Sequence, residues 1–96
     1  MRVSEAPEAA TARPWLLYVL LCGDGSLYAG VTPDLEQRLA AHRAGRGARY
    51  TRGRAPLDLL RAWSFVDVGA ALKAERRFKR LPRARKLRAL VSAAPP

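Results

Sequence analysis

The longest apolar run in the chain is Trp15-Leu16-Leu17-Tyr18-Val19-Leu20-Leu21-Cys22. It is short and partly aromatic, and turn residues follow it, which predicts a buried strand. Gly23-Asp24-Gly25-Ser26 has the chemistry of a tight turn. Leu27-Tyr28-Ala29-Gly30-Val31 then predicts a second strand, antiparallel to the first. Thr32-Pro33-Asp34 reads as a helix start: a hydroxyl cap, proline at the first helical position and an acid in the first turn. The helix is expected from Pro33 to about Ala44, with Gly45 as its stop. Leu35, Leu39 and His42 recur at i, i+4 and i+7, with Arg38 beside them on the same face. A Gly/Arg loop spans Ala44 to Arg54 with Tyr50 inside it, and Pro56 closes it. Leu57 to Phe65 predicts a third strand. A second helix is expected from Val68 or Gly69 to Leu81, with an apolar stripe of Ala71, Leu72, Ala74, Phe78 and Leu81. Pro82 ends it and opens a short basic helix over Arg83 to Val91. The order β-β-α-β-α-α predicts an α+β fold, a small three-stranded antiparallel sheet flanked by helices. The expected domain covers 14–91, between an Ala/Glu/Pro/Thr-rich tail over 1–13 and a short tail over 92–96.

The patterning leaves a few residues in unusual places. Glu75 lies at i+4 from Ala71 and i−3 from Phe78, so it runs along the apolar stripe instead of facing water. A carboxylate there needs a partner. Lys79 at i+4 or another arginine would serve, and so would a hard divalent cation. Arg38 and His42 share a helix face. They read either as structural side chains or as a pair that binds phosphate and handles a proton. Tyr18 and Tyr28 sit on strands joined by a tight turn, so both hydroxyls can approach one region of the sheet surface. Ordinary strand packing is the alternative. Trp15, Trp63 and Tyr50 read most simply as core or rim aromatics, although Tyr50 is also placed to stack on a base.

Charge adds direction to this picture. The 96 residues carry 18 Lys plus Arg against 8 Asp plus Glu, a formal net charge of +10. The imbalance is one-sided. Residues 1–37 hold Arg2 and Arg13 against Glu5, Glu8, Asp24, Asp34 and Glu36, a net of −3. Residues 38–96 hold 16 basic residues against Asp58, Asp67 and Glu75, a net of +13. A polyanion partner is implied, and nucleic acid fits better than a membrane surface, because no stretch has a long apolar helix face. No window approaches the roughly 18 apolar residues of a membrane span. Residues 1–14 lack the pattern of a signal peptide. A single cysteine, Cys22, excludes an internal disulfide framework and a multi-cysteine zinc site. The expectation is a small soluble protein of a reducing compartment, the cytoplasm, with association to the nucleoid as the alternative.

The residues singled out fall into a known order. The chain resembles the GIY-YIG nuclease superfamily, in particular its small single-domain bacterial branch. Leu16-Leu17-Tyr18 corresponds to the first motif and Tyr28-Ala29-Gly30 to the second. Arg38, His42 and Glu75 match the family's arginine, its histidine or tyrosine one turn later, and its metal-binding glutamate. Gly47-Ala48-Arg49-Tyr50-Thr51-Arg52-Gly53 and Phe78-Lys79-Arg80-Leu81 resemble the single-domain branch specifically. The resemblance covers about residues 14–90. Only Tyr18 survives of the first motif's three letters, Ala29 replaces the middle of the second, and Val31 stands where some repair nucleases of the superfamily carry lysine.

The resemblance implies a metal-dependent endonuclease that hydrolyses DNA phosphodiester bonds. Glu75 would hold Mg²⁺ or Mn²⁺, Arg38 a non-bridging phosphate oxygen, and Tyr28 would act as the base, supported by His42 with Tyr18 positioning the water or phosphate. Arg43, Arg46, Arg49, Arg52 and Arg54 of the loop, with Tyr50, would grip the backbone, as would Lys79, Arg83, Arg85, Lys86 and Arg88. Such contacts position without reading sequence. Structure-selective or low-specificity cleavage of DNA follows, with RNA as a further candidate and repair or recombination as the setting. Two competing readings are a non-cleaving nucleic-acid-binding module of the same fold and a small basic ribonucleoprotein component.

Overall fold

A computed structural model describes residues 14–96. The tail expected over 1–13 lies outside the described residues. The expected order is found: β1 (Trp15–Leu21), β2 (Leu27–Thr32), α1 (Leu35–Arg43), β3 (Asp58–Phe65), α2 (Val68–Arg80) and α3 (Arg83–Ala89). The sheet order is β2-β1-β3, both pairings antiparallel. The most apolar strand is therefore the central one, and Leu17 to Leu20 are wholly buried. The hairpin turn holds itself together: Asp24 accepts from the Ser26 amide at 3.0 Å and from its hydroxyl at 2.6 Å. Gly25 takes φ +85°, which a side chain would resist.

Alternation along the strands divides the sheet into two faces. One face presents Leu17, Val19, Ala29 and Trp63 to Ala74 and Phe78 of α2. Burying a side chain such as Phe78 contributes about 1.5–3 kcal/mol. The other face presents Tyr18, Leu20 and Cys22, which pack with Leu57 and with Tyr28, Leu35 and Leu39. Here α1 and the loop after it form the cover. The β1–β3 register slips between Val19 and Leu20, a bulge that leaves Leu59 and Leu60 exposed.

Three local expectations change. The cap of α1 is Asp34, not Thr32, and the helix starts at Leu35 rather than Pro33. The Asp34 carboxylate accepts from Gln37 N at 3.1 Å, while Thr32 stays in β2 and its hydroxyl accepts from Asp34 N at 3.1 Å. A carboxyl cap outcompetes a hydroxyl already used in the strand-to-helix turn. Leu72, expected on the stripe of α2, is exposed, because the helix buries the narrower line Ala71, Ala74, Phe78. The last helix ends at Ala89, and Val91 is exposed.

Candidate active site

The strand register sets the first pair of residues. Leu20 pairs with Tyr28 and Tyr18 with Gly30, so both tyrosines project from one face. Their rings stand 6.4 Å apart. Tyr18 is wholly buried and Tyr28 half-buried. Gly30 is needed opposite Tyr18: a Cβ there would lie 2.5 Å from the phenol oxygen and 2.7 Å from Cζ. The glycine of the second motif thus makes room for the tyrosine of the first.

Helix α1 lays Arg38 and His42 over this face. Arg38 Nε donates to the Tyr18 oxygen at 3.4 Å. The Tyr18 oxygen and His42 Nε2 are 2.7 Å apart, and His42 Nδ1 lies 2.8 Å from Thr51 Oγ1. The Tyr28 ring meets His42 edge-on at 5.2 Å. Burial raises the Tyr18 pKa, opposed by the Arg38 hydrogen bond, so the phenol stays protonated at neutral pH. Burial, then the Arg38 charge, lowers that of His42, so its ring is neutral. The bond to Tyr18 holds Arg38 firmly charged, and Tyr28 adds to this.

Glu75 stands on α2, the helix that covers the sheet face of Leu17 and Val19. Its side chain is 17% exposed and pairs with Lys79 at 3.2 Å, the i+4 partner expected from sequence. Its charge also adds, last and least, to the rise of the Tyr18 pKa. No group of three or more His, Cys, Asp or Glu side chains gathers among the described residues. A single carboxylate suits Mg²⁺ or Mn²⁺, since Mg²⁺ keeps most of its waters and takes one or two protein carboxylates. Between Glu75's helix and the free edge of β2 runs a groove of about 240 Å³, lined by Tyr28, Tyr50, Phe78, Lys79 and Lys86.

The basic loop divides into two kinds of arginine. Arg54 pairs with Asp24 at 2.9 Å, donates to the Tyr50 carbonyl and lies 4.1 Å from the Tyr50 ring centre. Tyr50 in turn stacks on Tyr28 at 5.9 Å. Arg43 donates to the Leu57 carbonyl at 3.1 Å. These two arginines fasten the loop. Arg46, Arg49 and Arg52 are exposed, as are Lys79 and Arg83, while Lys86 lies half-buried beside Phe78. The structure thus brings Tyr18, Tyr28, Arg38 and His42 together, and leaves Glu75 on α2, paired with Lys79. Thr51 and Gly47 were not singled out from sequence. Thr51 is buried against His42, and Gly47 lies so close to the His42 ring that no Cβ fits. Both lie in the Gly47–Gly53 stretch, but nothing in its composition reveals a contact to a helix nine residues earlier.

A sheet face carrying two tyrosines, an arginine and a histidine, with a carboxylate on α2, defines a class. The model of the GIY-YIG catalytic domain matches residues 14–88, and the chain belongs to that family. Within it, the relatives are UPF0213 proteins. One from Xanthomonas axonopodis pv. citri is 55% identical over 75 residues, covering 78% of this chain and 74% of that protein. One from Nitratidesulfovibrio vulgaris is 48% identical over 86 residues, covering 90% and 78%. Two solution structures share the fold. A protein from E. faecalis has a TM-score of 0.59 at 43% identity, covering 80% of this chain and 82% of that one. A UPF0213 protein from Bacillus halodurans has a TM-score of 0.52 at 40% identity, covering 78% and 80%. No helix among the described residues is long and apolar enough to cross a membrane.

Proposed function

We propose that the protein is a metal-dependent endonuclease that hydrolyses DNA phosphodiester bonds with low sequence specificity or by substrate structure, in repair or recombination. The observation that carries this reading is the hydrogen-bonded series Arg38–Tyr18–His42 beside the half-buried Tyr28. A nucleic-acid clamp has no need of a buried tyrosine–histidine bond. Hydrolysis of a phosphodiester needs a base, charge stabilisation and a stabilised leaving oxygen.

Arg38 reaches the site with a permanent charge and holds a non-bridging phosphate oxygen. Tyr28, which lines the groove, takes the proton from the attacking water. Tyr18 is too buried to meet that water directly; it orients Arg38 and bonds to the neutral His42. Glu75 would hold Mg²⁺ or Mn²⁺ once Lys79 swings aside. That cation would supply Lewis-acid stabilisation of charge on the phosphate and leaving oxygen. Arg46, Arg49, Arg52, Arg83 and Lys86 hold the backbone on either side.

The second reading, a binding module that does not cut, draws on the Glu75–Lys79 pair, which satisfies the carboxylate without metal. One assay separates them. Labelled single strands, duplexes, flaps, forks and an RNA are incubated with Mg²⁺, Mn²⁺ or EDTA, alongside Glu75→Ala, Tyr28→Phe and Tyr18→Phe proteins. Metal-dependent cutting that disappears in Glu75→Ala is expected. Salt-sensitive binding with no cutting by the unaltered protein would sink the nuclease reading. Full cutting by Tyr28→Phe with none by Tyr18→Phe would exchange the tyrosine roles.

A further inference from the structure

The buried polar groups around His42 admit few proton arrangements. Thr51 Oγ1 lies 3.0 Å from the Ala48 carbonyl oxygen and 2.8 Å from His42 Nδ1. A carbonyl only accepts, so the single Thr51 hydroxyl proton goes to Ala48, and a lone pair remains for Nδ1–H. A neutral imidazole carries one N–H, so Nε2 is then bare. The Tyr18 hydroxyl, 2.7 Å from Nε2, must donate to it. Arg38 Nε–H donates to the same phenol oxygen from the other side. Every donor has an acceptor.

The opposite arrangement fails twice. If Thr51 donated to Nδ1, its oxygen and that of Ala48 would face each other at 3.0 Å with no proton between them. His42 Nε2–H would donate to Tyr18, whose own buried proton would have no acceptor among the described residues. Buried polar groups are rarely left so. Gly47, packed against the imidazole, leaves the ring little room to turn away.

We propose that Thr51 is a positioning residue: it fixes the tautomer of His42 so that Nε2 accepts the Tyr18 proton. This orients the phenol oxygen, lone pair outward, toward Arg38. The effect on cleavage rests on the nuclease reading; the tautomer does not.

The chain has one histidine, so its imidazole nitrogens are unambiguous in a long-range ¹H–¹⁵N spectrum. The full ¹⁵N-labelled chain is compared with Thr51→Ser and Thr51→Val, well above the imidazole pKa. The unaltered protein and Thr51→Ser are expected to show a protonated Nδ1 and a bare Nε2. Thr51→Val, matched in shape but without the acceptor, shifts the population toward Nε2–H. Cleavage by Thr51→Val falls about tenfold or more, a fraction of what acid–base positioning contributes, while Thr51→Ser stays within about threefold. A proton on Nε2 in the unaltered protein overturns the proposal, whether or not Thr51→Val folds. So does an unchanged tautomer in folded Thr51→Val. If no protein cuts yet the tautomers behave as described, the nuclease reading fails and the assignment of Thr51 stands.

Discussion

Replacing Gly30 by alanine adds one methyl group at a crowded point of the site. That carbon would stand 2.5 Å from the Tyr18 oxygen, 2.7 Å from Cζ and 3.1 Å from Cε1. Tyr18 is wholly buried, so the ring cannot swing to solvent. Either the strands part or the phenol shifts and releases His42 and Arg38. Overpacking a filled interior costs about 1–3 kcal/mol, and leaving a buried polar group without its partner about 1–3 kcal/mol. Gly30→Ala is therefore expected to destabilise by about 2–6 kcal/mol, each kcal/mol lowering Tm by roughly 4–8 °C in a domain of this size. Tyr18→Phe removes the nearest atom but leaves Cζ in the way, so the same change in that background should cost about 1–2 kcal/mol less. Denaturant unfolding of the four proteins of this cycle measures the coupling. If the two changes add to within about 0.5 kcal/mol, Gly30 is not there to admit the Tyr18 hydroxyl, and the reasoning is refuted.

Glu75→Gln should remove metal-dependent cutting by about 100-fold or more, yet change stability by only about 0–1 kcal/mol, because the Lys79 partner is half exposed; a large stability loss would make Glu75 a structural residue. The pKa of His42 is lowered in the fold, so the unfolded chain takes up a proton first as pH falls below about 6.5, and stability drops through that window. Unfolding midpoints compared with His42→Gln should show that component vanish in the variant; identical pH profiles would contradict it. Asp24 is held down to about 2 chiefly by the Ser26 hydroxyl and amide and less by Arg54. An NMR titration should therefore find a larger rise in Ser26→Ala than in Arg54→Ala, and the reverse order would reassign the cause.

Much of this was readable in the chain because it depends on local periodicity. The run from Trp15 to Cys22 and the Gly23–Ser26 turn place Tyr18 and Tyr28 on one face once the strands pair, and i, i+4 spacing does the same for Arg38 with His42. The Lys79 partner of Glu75 follows from the same rule. Contacts that cross the fold were not readable. The need for Gly30 depends on which residue stands opposite it in register. Thr51 meets His42 only because the loop folds back over α1. Arg43 and Arg54 look like their neighbours Arg46 and Arg49 in sequence, but the Leu57 carbonyl and Asp24 claim them. The capping role passed from Thr32 to Asp34 because the strand continued through Thr32.

The loop that carries Thr51 also sets how long the site stays assembled. It is anchored at its far end by Gly23 N to the Arg54 carbonyl at 2.6 Å and by the Arg54–Asp24 pair, and in its middle by Thr51 on His42. Apart from Tyr50, which stacks on Tyr28, it holds mostly Gly, Ala and Arg, with little apolar surface to bury. Segments of this kind open with a smaller free energy than the strands they cover. Amide hydrogen exchange should find Thr51, Arg52 and Arg54 unprotected well before the amides of β1. Each opening breaks the Thr51–His42 bond while the α2 face of the sheet stays intact. The half-life of the closed loop, rather than that of the whole fold, then limits how long His42 is held ready.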